Sequence, residues 1–187
     1  MPAAAILAAV IVGGAGTLAE RLPAEFGEVT YVYQRYPGAP GVAGIGEGAN
    51  CQLYAYAVLA HFGLHVAPLR SSDLWDDARL RTVTDGEQPL DIVFYNRTRE
   101  AFGAHIGVVV GADAVLHLCA EIGRPVVWPQ RAFAQRPLHA VRLGARRLPA
   151  ETGVPRYTRR PKPRSSSSAR PPTEPGLGRT PSWIAAS

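Results

Sequence analysis

Cysteine is scarce in this chain of 187 residues, which holds only Cys51 and Cys119. Two thiols do not make the disulfide framework of a small secreted scaffold, so a hydrophobic core has to hold the fold. Structural zinc is excluded on related grounds, because four ligands at spacings such as Cys-x2-Cys are missing. Charge of one sign is also missing from most of the chain. Residues 1–150 carry 13 Lys/Arg and 13 Asp/Glu, and the net charge of +5 arises in residues 151–187, where seven basic residues outnumber Glu151 and Glu174. The basic balance therefore describes a tail able to touch an anionic polymer, not a nucleic-acid-reading face. A membrane-length apolar run is lacking as well. Residues 2–19 (PAAAILAAVIVGGAGTLA) are apolar but interrupted by Gly13, Gly14 and Gly16, short of the roughly 20 residues a stable span needs. Without a Lys/Arg-rich start, the segment reads equally as an export signal or a buried helix; an exported or envelope location is favoured slightly over a cytoplasmic one.

What is present suits a globular domain: 47% of residues are apolar and 19% charged. Thr17 to Phe26 has a short helical repeat, with Leu18, Leu22 and Phe26 on one face and Pro23 interrupting. Glu28 to Tyr36 alternates as a strand or extended segment, and residues 37–50 (PGAPGVAGIGEGAN) form a Gly/Pro loop. Cys51 to Phe62 is a helix opened by Asn50 as N-cap and closed by Gly63. A second short helix begins at Ser71 within residues 71–80. Four apolar runs follow as strands: Asp91 to Tyr95, His105 to Val110, Ala114 to Leu118, and Ala140 to Leu143, the second and third joined as a hairpin through Gly111, Ala112 and Asp113. Helices first and antiparallel strands after predict an α+β fold. Residues 1–16 are set apart as the apolar segment, 17–147 as the domain, and 148–187 as a disordered basic tail rich in Pro and Ser, with Trp183 and Ile184 its only sizeable apolar residues near the end.

Three residues carry the chemistry. A thiol becomes a nucleophile as thiolate, and a helix N-terminus beside an imidazolium lowers its pKa from about 8.5 toward about 4 to 7. Cys51 occupies such a helix start, after a glycine loop that lets a substrate backbone approach. In a hairpin turning at residues 111–113, His105 faces positions 117–119, so His105 and His117 share one face. A nucleophile, a base and a group orienting that base is the constellation for acyl transfer, recognised by role on unrelated folds. Nothing in it calls for a cofactor. Cys119, on the face of His117, reads as packing. His61, His65 and His139 read as surface or helix-end residues, and Trp75 and Trp128 as core aromatics.

The ordered set Asn50-Cys51, Leu90-Asp91-Ile92-Val93-Phe94-Tyr95, His105-Ile106-Gly107-Val108-Val109-Val110-Gly111 and His117 resembles NlpC-type cysteine peptidases, papain-like bacterial enzymes that cut peptidoglycan stem peptides. The resemblance spans about residues 17–145 and implies N-terminal helices packed on a small antiparallel sheet, in a monomer. It further implies a Cys51–His105–His117 triad that cleaves an amide in a small peptide or peptidoglycan-type stem peptide through an acyl-enzyme. Relatives of the same fold run amidase or acyltransferase chemistry on other substrates, and a degenerate site would leave an envelope-binding protein. The family's Asp-Cys-Ser-Gly is replaced around Cys51 by Asn50, Gln52 and Leu53, and no cell-wall-binding repeat accompanies the domain. An upstream tyrosine of the family, which assists the oxyanion, corresponds to Tyr33 or Tyr36.

Overall fold

The computed structural model describes residues 17–149, so the expectations for the apolar start and the basic tail lie outside the described residues. Helical segments come first. Two 3-10 turns, Leu18–Arg21 and Ala24–Glu28, stand where one helix was expected; Pro23 separates them, as a residue without an amide donor does. Glu28 to Tyr36 forms no strand. Its regular pairing is a single bridge between Tyr31 and Ala49, which ties the segment to the loop before Cys51.

Helix α1, Cys51–His61, starts at Asn50, whose side chain accepts the Leu53 amide at 2.8 Å. Gly63 follows the helix with φ at 83°, the left-handed conformation that favours glycine at a C-terminal cap. Helix α2, Ser71–Trp75, is half as long as expected. Beyond it the Asp77 side chain bonds the Arg79 backbone amide, a local bond that competes with helix continuation.

Six strands form one antiparallel sheet: β1 Arg81–Thr82, β2 Ile92–Asn96, β3 His105–Gly111, β4 Ala114–Cys119, β5 Arg124–Trp128 and β6 Val141–Arg147, in the order β1-β6-β2-β3-β4-β5. A four-residue helix α3, Gln130–Phe133, connects β5 toward β6. The α+β order is thus what the sequence indicates, with β1, β5 and α3 added. One sheet face, carrying Ile92, Phe94, Ile106, Val108, Leu116 and Leu118, packs under α1. The other, carrying Val93, Tyr95, Val109, Val115, Cys119 and Trp128, is covered by Phe133 of α3. Burial of both faces explains why β3 reads as a nearly continuous apolar run, without the polar alternation of a half-solvated strand.

Asp91, at the start of β2, is buried and takes the Gln88 amide and two bonds of 2.6 Å from Arg147 at the end of β6. Removing one partner of such a pair strands a buried charge, typically at a cost of about 3 to 5 kcal/mol. That pair ties the end of β6 to the start of β2.

Candidate active site

Cys51 opens α1 at the rim of the sheet, and the amides of Ile106, Gln52 and Cys51 itself point at its sulfur. Those amides and Arg70 favour the thiolate, yet burial outweighs them and pushes the thiol pKa up. The sequence-based expectation of a lowered thiol is therefore corrected for the resting state. A helix terminus is a weak partial charge, whereas desolvation of a small anion is a large effect.

The two histidines meet as the hairpin spacing requires, but diagonally. Val108 pairs with Leu116 and Val109 with Val115. Continued, this register sets Gly107 opposite His117 and His105 opposite Cys119, so His105 reaches its partner past Gly107. A Cβ at Gly107 would lie 2.5 Å from Val115 Cγ1 and 3.4 Å from His117 Cβ. A side chain there would press on Val115 and on the start of the His117 side chain. His105 Nε2 and His117 Nδ1 are 2.8 Å apart, with the rings at 89°.

Both rings are buried, and burial pushes the His105 pKa down to about 3, with His139 nearby as a further cause; His117 is lowered well below its ordinary value by burial, then by His105 and His139. His117 is enclosed by Trp128, 4.5 Å between centroids, and Phe133, 4.8 Å, and its Nε2 has no hydrogen-bond partner. The resting site thus pairs a neutral thiol with neutral imidazoles.

His139, read from the sequence as a surface residue, is buried with its ring centroid 4.3 Å from that of His105. The turn from Arg136 to His139 after α3 folds it over the sheet, a tertiary effect that no local pattern signals. His61 and His65 are exposed as expected, and Cys119 is packed among apolar side chains. Trp128 is core and Trp75 half-buried against Phe94.

Cys51, His105 and His139 line one cleft of about 610 Å³, within the range of about 300 to 1,000 Å³ usual for small-molecule sites. Tyr31 and Tyr33 line it too, whereas Tyr36 lies outside, under the Arg70 guanidinium at 4.0 Å. The Tyr31 hydroxyl pKa is pushed up to about 12 by burial, then by Cys51, so it stays a hydrogen-bond donor beside the thiol. Gln52 is turned away from this chemistry: its amide donates to Leu69 O and to the Tyr56 hydroxyl, both at 2.9 Å, fixing α1 to the following loop. Among the described residues no group of three or more His, Cys, Asp or Glu side chains could hold a metal ion, and no helix is long and apolar enough to cross a membrane.

No protein-family model and no curated protein matches the chain. Among solved structures it is similar to the NlpC/p60 domain of the peptidoglycan hydrolase SagA, at 15% identity over 59% of this chain and 85% of that one, with a TM-score of 0.42. It is also similar to the peptidoglycan hydrolase RipB from Mycobacterium tuberculosis, at 20% identity over 68% of this chain and 72% of that one, with a TM-score of 0.39.

Proposed function

We propose that the protein is a papain-like cysteine hydrolase of the NlpC type, with Cys51 as nucleophile, His105 as general base and His117 as the residue that positions His105. The observation that carries this reading is the 2.8 Å bond from His105 Nε2 to Nδ1 of the buried His117, with His105 lining the cleft that Cys51 also lines.

The bond contains one proton, and the surroundings of His117 Nε2 support His105 as its supplier. A neutral imidazole carries one N–H. If His117 donated through Nδ1, its bare Nε2 lone pair would face the aromatic rings of Trp128 and Phe133. If His105 donates through Nε2, His117 bears its proton on Nε2, where an N–H against aromatic faces is tolerated. The second arrangement leaves His105 Nδ1 bare, which is the form a general base requires.

On substrate binding, the Cys51 sulfur attacks the amide carbonyl carbon while His105 Nδ1 takes the thiol proton. The imidazolium keeps its Nε2–H bond to His117 and returns the other proton to the departing amine as the C–N bond breaks. Water then adds to the thioester with His105 again accepting a proton, which releases the acid and restores the thiol. Tyr31 donates to the carbonyl oxygen as it gains charge. The substrate in this reading is an amide in a small peptide, the peptidoglycan stem peptide being one member of that class.

Incubation with a peptide thioester or activated amide, followed by intact-mass measurement, tests the scheme. An acyl adduct on Cys51 that decays with time is expected, and it should vanish in Cys51→Ala. Steady hydrolysis by the folded Cys51→Ala variant would sink the proposal.

A further inference from the structure

Exposed apolar side chains gather at the mouth of the cleft. Among the described residues the large exposed apolar side chains are Tyr33 (68% exposed), Phe102 (83%), Ile122 (52%) and Leu138 (55%). All of these except Ile122 line the cleft that holds Cys51. Scattered apolar exposure on a soluble surface is ordinary, whereas its concentration around one cavity marks a place that a ligand covers.

Phe102 is held outward by a built loop. The Asn96 side-chain amide donates to Glu100 O at 2.7 Å and to Phe102 O at 3.1 Å, and the Gly103 amide donates to Ser71 Oγ at 3.0 Å. The backbone on each side of Phe102 is therefore pinned, and its exposure follows from the design of the loop.

Charge at the same mouth is of mostly one sign. Arg70 and Arg97 line the cleft, both are exposed, and neither has an ion-pair partner among the described residues. Glu100 is the one acid in the lining, so with His105 and His139 neutral the mouth has a surplus positive charge. A guanidinium with open donors is suited to a carboxylate.

We infer that the cleft takes an acyl donor bearing an aromatic or branched aliphatic group together with a carboxylate, in preference to a short polar peptide. The apolar group covers Phe102, Tyr33 and Leu138, and the carboxylate meets Arg97 or Arg70. This deepens the hydrolase reading and rests on it for turnover, though not for binding.

The test uses the full chain and three coumarin amides: N-succinyl-phenylalanyl, N-acetyl-phenylalanyl and N-succinyl-alanyl 7-amido-4-methylcoumarin. The first should show the highest kcat/KM, with a loss of about tenfold for removing either the carboxylate or the ring, a step of about 1.4 kcal/mol each. Arg97→Gln should shrink the succinyl-over-acetyl ratio, and Phe102→Ala the phenylalanyl-over-alanyl ratio, each leaving the other ratio and the thermal melt in place. Binding of N-succinyl-phenylalanine amide to Cys51→Ala, followed by tyrosine fluorescence or NMR shifts, separates the two ideas. Binding with these preferences but no turnover by the wild type overturns the hydrolase reading and supports the subsite. Turnover of all three amides within twofold of one another, a preference for a cationic cap, or neither binding nor turnover overturns the subsite.

Discussion

At the scale of single residues, the proton on His117 is the feature with the sharpest consequence. Nitrogen-15 NMR of the imidazoles should report His117 as the Nε2–H tautomer and His105 with an unprotonated Nδ1 at neutral pH; the reverse assignment would remove His105 as the resting base, whatever the activity. If His117 works by accepting the His105 proton, an amide side chain can replace it in part. His117→Asn and His117→Gln should then retain at least about tenfold more kcat than His117→Ala, with similar melts, and equal loss in all three would show that orientation is not its task. The two thiols differ in access: Cys51 is partly exposed and Cys119 buried, so iodoacetamide should modify Cys51 first. Because burial raises the Cys51 pKa, its labelling rate in the free protein should climb toward alkaline pH. A rate already maximal at pH 6 would mean that a thiolate–imidazolium pair exists at rest.

At the scale of elements, the hairpin of β3 and β4 does most to build the site, and it was also the most legible part of the chain. Its two apolar runs and the turn at Asp113, whose φ is 50°, fix the register from local sequence. That register brings His105 within reach of His117, while the diagonal contact depends on Gly107, whose packing environment no spacing rule describes. Gly107→Ala should push its Cβ into Val115, destabilise the sheet by about 1 to 3 kcal/mol as overpacking does, and reduce turnover more than the melt alone accounts for. Normal kcat in that variant would argue that the His–His contact tolerates displacement. Both ends of α1 were legible too, because Asn50 and Gly63 are strong terminal signals. Strand β5 was not: Pro125 argues against a strand, and only the final structure shows it on the sheet edge, where a missing amide is tolerated. His139, Tyr31 and Arg97 escaped for a different reason. They reach the cleft from loops, and loop approach is set by tertiary contacts without periodicity.

For the whole molecule, packing both faces of the sheet places three titratable rings in its interior, and this links the site to stability. His105, His117 and His139 all have pKa values lowered chiefly by burial, His105 to about 3, against an ordinary value near 6.5 in the unfolded chain. Between about pH 6.5 and 3 the unfolded state therefore binds protons that the native state refuses, so the unfolding free energy falls as pH falls through that window. The carboxylates act later. Asp77, held low first by its hydrogen bond from Arg79, withdraws its contribution only as pH drops below about 4, the unperturbed range of an aspartate. A urea midpoint measured from pH 7.5 to pH 5.5 thus reports chiefly on the histidines, and it should decline steadily on acidification. In His139→Phe, which fills the same space without a titrating nitrogen, the decline should be shallower, because one fewer proton is taken up on unfolding. A midpoint that stays level across this range, or that declines equally in the variant, would mean that these rings are protonated or hydrated in the native protein, and the neutral resting site proposed for His105 would have to be abandoned with it.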